Sequence, residues 1–401
     1  MISGIVPDKS AERLLMRLMA LAAPSGKEQQ VVECLRQQLT TAGAPAAALE
    51  MDRTGRRSPL GGEVGNFALR LPGSVRAPRR LLVAHMDTVP LCVGARPVRR
   101  GNRIVAAEAH TALGADNRAG VAVLLSTALA ILRRRLPHPP LTFLWTVQEE
   151  AGLHGARYVR KSMLGNPRLA FNWDGGPAHK LTLGATGGYR MNIEIRGLAS
   201  HAGGHPEQGI SAIAIASLAT ADLVQHGWHG LVVKGRRRGT SNIGIIQGGA
   251  ATNVVADRVR IRAEARSHDP AFRERIVREI ERAFQKAARQ VHNHQGRCGQ
   301  ASIEGRLDYE AFRLSREEPS VRAAAAAIQA EGGPAEYAIA NGGLDANWLT
   351  ARGIPTVTLG CGQNDIHTVN EWLDLDEFHR ARRIAFRLAT DLGGGGKTSK
   401  P

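Results

Sequence analysis

Residues 81–90 read LLVAHMDTVP, an apolar run that ends on His85 and, two positions later, on Asp87. A continuous run of this kind suits a strand covered on both faces, as in a parallel or mixed sheet flanked by helices. The same pattern recurs along the chain. LTFLWTVQEE (141–150) ends on Glu149 and Glu150, LAFNWDGG (169–176) passes into Asp174, and TVTLG (356–360) leads to the loop NDIHT (364–368) with His367. Open α/β sheets hold their sites at the C-terminal ends of strands. These four endings therefore point to an α/β fold and to the place where its chemistry belongs.

Outward from those runs, helical periodicity is expected over 11–22 and 28–41, and strands over 66–71, 81–84, 103–106, 141–147 and 169–173. A long apolar helix is expected over 119–132. From about Gly187 the texture changes to alternating strands and amphipathic helices (210–224 and 271–291), ending with a strand at 301–307. The order strand, helix, two strands, helix, strand describes a compact α+β insertion. Buried texture then returns with a helix at 320–331, a strand at 356–359 and a helix at 375–392. The expected organisation is a first domain over 1–186, interrupted by 187–309 and resumed over 310–392. The tail, GGGGKTSKP (393–401), is expected to be disordered. It is not a phosphate-binding loop, because Asp391 stands where that motif needs its first glycine.

Composition sets limits on function. At 401 residues the chain is long enough for two domains, and 43% hydrophobic with 22% charged residues describes an ordinary globular protein. No uninterrupted apolar run approaches the roughly 18 residues that span a bilayer, and the start lacks the pattern of a secretory leader, so a cytoplasmic protein without a membrane partner is expected. Cys34, Cys92, Cys298 and Cys361 form no CxxC pair, which argues against a thiolate zinc site or a disulfide framework. The formal charge of +17 is spread along the chain and aromatics are only 4%, so it reads as a solvated surface that favours anionic substrates, not as a nucleic-acid platform.

The remaining signal is a set of carboxylates and imidazoles. His85 and Asp87 lean to one face of a strand end, so one can hold a metal while the other orients the ring. Asp116 in LGADNRAG (113–120) precedes an apolar helix; it reads either as a helix cap or as a carboxylate bridging two cations. The adjacent Glu149 and Glu150 repel unless a cation is near. One suits a ligand and the other a general base. With Asp174 and His367 the set offers hard oxygen and imidazole donors, the chemistry of Zn, Co or Mn in an open catalytic site.

HMDTV, LGADNRAG, TVQEEAGLHGA, NWDGG, ASHAGGHPEQGISAI, GGAATNVVADRV and the late IHT, taken in order, resemble the M20 family of metallopeptidases and amidohydrolases, most closely its peptidase T-like branch. The resemblance implies a zinc-peptidase-like mixed sheet with an inserted ferredoxin-like lid over 187–309 that also forms a homodimer. It implies two divalent metals, with His85 and Asp174 on one, Glu150 and His367 on the other, and Asp116 bridging them, followed by a cis peptide. Asp87 would orient His85, and Glu149 would be the general base acting with a metal-bridging hydroxide. His201 would stabilise the oxyanion, and Asn253, Arg266, Asn341, Gly343 and Asp345 would contact substrate. The implied activity is hydrolysis of an amide bond in a small peptide, of the aminopeptidase or di/tripeptidase type. An N-acyl or N-carbamoyl amino acid amidohydrolase or a carboxypeptidase shares every ligand. The branch carries arginine where Asn341 stands, so the resemblance does not carry tripeptide specificity to this chain.

Overall fold

A computed structural model describes residues 5–391, and the tail expected to be disordered lies outside the described residues. The chain forms two compact units. The first comprises the residues up to Gly184, Arg313–Ala340 and those from Leu344 onward; the second is Ala185–Phe312 with Asn341–Gly343.

The first unit is built on a mixed sheet whose central strands are, in spatial order, Phe67–Leu71, Leu141–Thr146, Arg80–His85, Leu169–Trp173 and Thr356–Leu359. The last four run parallel: His85 pairs with Thr146, Val83 with Asn172 and Leu359 with Trp173. Nearly every residue of these strands is buried, as the continuous apolar runs require when helices cover both faces. The sheet is closed by antiparallel neighbours, Phe67–Leu71 against Leu141–Thr146 and Lys180–Ala185 against Thr356–Leu359. The expected mixed sheet flanked by helices is therefore observed.

Helix Ala115–Arg134 passes through this unit. By length and composition it could cross a membrane, but 94% of that apolar window is buried inside the protein, as a core helix. Sequence placed its start at 119. It begins earlier because Ala115 to Asn117 form an irregular first turn, with Asp116 and Asn117 at non-helical dihedrals. Helices Asp8–Met19 and Gln29–Thr41 bury Leu14, Leu15 and Leu18 in one and Val31, Val32, Leu35 and Leu39 in the other, whereas Leu21, which the periodicity adds to the first row, lies beyond the helix end and is half-buried. The first starts at Asp8, upstream of the expected 11, because Pro7 is tolerated at a helix start. A small antiparallel sheet of Gln363–Asn364, Trp372–Asp374, Arg103–Ala106 and Pro97–Arg100 turns the segment carrying His367 into a hairpin.

The second unit has one five-stranded antiparallel sheet, in the order Gly230–Lys234, Arg237–Gly248, Arg258–Ser267, Gly187–Arg196 and Gln300–Tyr309. Strict alternation in Arg258–Ser267 sends Val259, Ile261, Ala263 and Ala265 inward. There they meet Ile215 and Leu223 of helix Ala212–Gln225 and Phe272, Ile276 and Phe284 of helix Pro270–Gln290. Each helix is capped: Ser211 Oγ accepts from Ala214 N at 3.1 Å, and Asp269 Oδ1 from Phe272 N at 3.2 Å. The expected strand and helix order holds with one correction. Gly230–Lys234 is an added edge strand in a tight hairpin, hidden in the sequence by its short length and basic turn.

Asn66 fixes where strand Leu141–Thr146 releases its loop. Its Oδ1 accepts from Val147 N at 3.1 Å, and its Nδ2 donates to Asp52 Oδ2, Thr54 Oγ1 and Gly155 O. Truncation orphans several of these buried groups at once, and each orphan costs about 1–3 kcal/mol. Asn66→Ala should therefore lower the unfolding free energy by about 3 kcal/mol at unchanged denaturant slope in urea titrations. A shift below about 0.5 kcal/mol, the range of neutral surface changes, would show that the loop is held by other means.

Candidate metal centre

The parallel register delivers the predicted side chains to one edge of the sheet. His85 is the last residue of its strand, Asp174 directly follows Trp173, and Glu149 and Glu150 follow Thr146 by three and four positions. Asp116 sits in the first turn of Ala115–Arg134, and His367 lies in the hairpin beyond Gln363–Asn364. Asp116 is the centre of the arrangement. Its Oδ1 lies 3.2 Å from His85 Nε2 and its Oδ2 3.2 Å from His367 Nε2. His85 Nε2 is also 3.9 Å from Asp174 Oδ1, and His367 Nε2 is 2.9 Å from Glu150 Oε1. The Asp116–Asn117 peptide is cis.

Two donor groups result, His85–Asp116–Asp174 and Asp116–Glu150–His367, each with ligand atoms within 4.8 Å of one another and each using a different oxygen of Asp116. A third grouping, His85–Glu149–Glu150, overlaps both. The donors are carboxylate oxygens and imidazole nitrogens throughout. The buried thiols nearby are unsuited as ligands, since burial pushes Cys92 up to about 12 and Cys361 higher still.

Electrostatics also fit a cation pair. Burial, reinforced by neighbouring carboxylates, holds Asp174 and Glu149 well above their ordinary range and raises Glu150. Burial pushes Asp116 the same way, but hydrogen bonds with His367 and His85 outweigh it and hold that carboxyl low. Hydrogen bonds to Asp116 and Glu150 push His367 up to about 10. Such a cluster must be neutralised by protons or by metal ions.

Asp87 has more contacts than the sequence suggested. His85 Nδ1 lies 3.1 Å from the Asp87 carbonyl and 3.5 Å from its Oδ1, so a proton on Nδ1 leaves the Nε2 lone pair facing Asp116 and Asp174. The Asp87 carboxylate also accepts from Glu149 N at 2.9 Å, Glu150 N at 3.1 Å and Ser25 Oγ at 2.6 Å. Two further acids escaped the sequence reading. Glu28 accepts from Gly26 N and Gln148 N, at 2.8 and 3.1 Å, and Glu371 accepts from Gly114 N and Asp116 N, at 2.7 and 2.9 Å. Burial raises both to about 7. Asn117 was also missed; its Nδ2 donates to Trp173 O at 2.6 Å and its Oδ1 accepts from Gln363 Nε2 at 2.9 Å. The position of Glu371 four residues after His367 was the one available signal.

The other predicted residues fall in different places. Asp345, expected to contact substrate, opens helix Asp345–Ala351 and is buried, accepting from Thr146 Oγ1, with burial raising it to about 6. It stands close enough to Glu149 and Asp174 for its charge to add to the raising of both. His201, Asn253, Arg266, Asn341 and Gly343 belong to the second unit. His201 bridges to Val254, and Ala202 N donates to Asn253 O at 2.9 Å, which sets His201 beside the Asn253 loop. Arg266 already grips its own strand neighbour Glu264 through two bonds of 2.9 and 3.0 Å. Asn341 Oδ1 is 3.1 Å from His268 Nε2, and a Cβ on Gly343 would come within 2.6 Å of the Tyr309 ring.

The sequence pattern of peptidase family M20/M25/M40 matches residues 81–391. The protein YqjE of Bacillus subtilis (strain 168) is 32% identical over 388 residues, 96% of this chain and 98% of that protein. Among solved structures, a tripeptidase from Staphylococcus aureus subsp. aureus Mu50 is similar with a TM-score of 0.85 at 27% identity, covering 97% of this chain and 99% of that one. The aminopeptidase PepT from Bacillus cereus ATCC 10987 is similar with a TM-score of 0.81 at 29% identity, with the same coverage.

Raised carboxylates make the metal-free protein acid-stabilised. Asp345 near 6 and Glu28 and Glu371 near 7 lie above their ordinary values. The stability they contribute is thus fully present below about pH 4 and is lost as pH rises through their folded values. His367, also raised, acts in the same sense. The melting temperature of chelator-stripped protein should fall between about pH 5 and pH 8, and saturating zinc should flatten that fall because cations would replace the protons of the raised ligands Asp174 and Glu150 and lower the neighbouring carboxyls through their charge. Parallel curves with and without zinc would count against a metal centre here.

Proposed function

The chain belongs to peptidase family M20/M25/M40, whose members are metal-dependent hydrolases, and from that premise we propose that it hydrolyses an amide bond in small peptides as an aminopeptidase of the di- or tripeptidase type. The observation that carries this reading is the pair of donor groups sharing Asp116, with Glu149 beside them. Likeness to the tripeptidase and to PepT supports the peptide substrate.

His85 and Asp174 would hold one divalent ion, Glu150 and His367 the other, and Asp116 both; zinc suits the donors, with cobalt or manganese as substitutes. Bound there, the pair supplies Lewis acidity, polarising the scissile carbonyl and making water a better nucleophile. Glu149 takes the proton from the attacking water and passes it to the leaving amine. Asp87 keeps that side chain in place through the backbone N–H of Glu149.

His201 supplies a donor to the oxyanion. Its Nδ1 accepts from Gly203 N and Gly204 N, at 3.2 and 2.9 Å, which leaves the proton on Nε2. Asn253, Asn341 and Gly343 would contact substrate. Arg266 would bind a substrate carboxylate by exchanging it for Glu264.

A panel of free, N-blocked and C-blocked di- and tripeptides and N-acyl amino acids, with zinc-loaded protein, tests the reading. Cleavage of peptides with a free amino terminus is expected. Preferred cleavage of N-acyl or N-carbamoyl amino acids, or release of C-terminal residues from N-blocked peptides, would replace the aminopeptidase reading by amidohydrolase or carboxypeptidase. Glu149→Gln should lower turnover about 10²–10⁴-fold without loss of metal. Full activity in that variant would remove Glu149 from the mechanism.

We propose further that the protein is a homodimer through its second unit. Ile213, Leu218 and Val224 of helix Ala212–Gln225 are exposed, as are Leu231 and Val233 of the strand at the edge of the sheet. Sedimentation velocity should give a dimer for the wild type and a monomer for Val224→Asp with Leu231→Asp; a monomeric wild type would refute it.

A further inference from the structure

One buried carboxylate has no part in the chemistry above. Glu371 is 2% exposed and belongs to none of the three donor groups. Both its oxygens are committed to backbone, Oε2 to Gly114 N at 2.7 Å and Oε1 to Asp116 N at 2.9 Å. The first N–H groups of a helix lack intrahelical acceptors and are ordinarily met by the side chain at the N-cap. Here the N-cap is Gly114, at φ 78°, which has no side chain to offer. The acceptor comes instead from 255 residues along the chain.

The origin of that acceptor matters. Glu371 lies four residues after His367, and its own N–H donates to Thr368 O at 3.2 Å, closing the turn that starts at the residue after His367. The next three residues, Trp372–Asp374, are fixed by pairing with Arg103–Ala106. A single side chain therefore joins the hairpin bearing His367 to the turn bearing Asp116. These are two of the three segments of the Asp116–Glu150–His367 group.

We infer that Glu371 is a positioning residue that sets the spacing of Asp116 and His367, and with it the affinity of the ion held between them and Glu150. The inference rests on the metal-centre reading above. Asp116 Oδ2 and His367 Nε2 stand 3.2 Å apart, a spacing in which a cation would take the place of their direct contact. His367 is 46% exposed, so little packing of its own side chain restrains it. Without the Glu371 link, the imidazole and the carboxylate lose their common anchor.

Glu371→Gln keeps the shape of the side chain but offers one acceptor where two N–H groups need one each. Full-length wild-type and variant protein are dialysed against graded free zinc, and bound metal is measured by mass spectrometry and titration calorimetry. The wild type is expected to bind two ions, and the variant to hold one of them at least tenfold more weakly. Activity lost at limiting zinc should return with excess zinc at nearly unchanged KM. A purely structural role would lower the melting temperature of the metal-free variant and leave both affinities unchanged, which would overturn the inference. If Glu371→Gln does not fold, Glu371→Asp, which keeps the charge and shortens the reach, carries the same test by the same measurements. A wild type that binds fewer than two ions would instead overturn the metal-centre reading itself.

Discussion

Four buried strands in parallel register, with His85 opposite Thr146 and Leu359 opposite Trp173, send four chain segments out of the sheet over the same edge. At that edge the ladder stops while the backbone is still buried, and buried N–H groups need acceptors. Side chains supply them. Asn66 takes Val147, Glu28 takes Gln148, Asp87 takes Glu149 and Glu150, and Glu371 takes Gly114 and Asp116. Three of these four acceptors are carboxylates, and none of the three belongs to a donor group.

The result is two tiers of acid. The outer tier holds backbone, which frees the carboxylates of Asp116, Glu149, Glu150 and Asp174 from structural hydrogen bonding to it. The cost is electrostatic, since so many buried carboxylates raise one another. Arg118 offsets part of it. Fully buried, it donates to Met86 O and Leu21 O, and although burial lowers it to about 10 it remains cationic beside Asp87 and Glu28. The excess negative charge that remains lies with the donor groups, where divalent cations would be bound most strongly.

Much of this was legible in the sequence because buried parallel strands leave continuous apolar runs, and their ends mark the site. LLVAH, LTFLWTV and LAFNW each announced both a strand and a member of the cluster at its end, His85, Glu149 with Glu150, and Asp174. The missed elements share a different cause. Lys180–Ala185 and Gly230–Lys234 are short strands stabilised by antiparallel partners, with no long run to show. Glu28 and Glu371 act across separations of 120 and 255 residues, and no local pattern encodes such a contact. Asp345 begins a helix that the sequence reading did not place, and it is buried against Thr146.

The adjacent glutamates show how one anchor produces two roles. Asp87 receives the N–H of Glu149 on one oxygen and that of Glu150 on the other, so the backbone between them is fixed at both residues. Consecutive side chains on a fixed backbone must point in different directions. That of Glu150 reaches His367 at 2.9 Å and so joins the donor group centred on Asp116. That of Glu149 is left among Asp174, Glu150 and Asp345, whose charges add to burial in raising it. A carboxyl bound to a cation is held ionised, whereas one surrounded by carboxylates retains a proton more readily. In the proposed chemistry the ligand and the base therefore differ by one position in the chain, and the divergence enforced by Asp87 keeps them from exchanging parts.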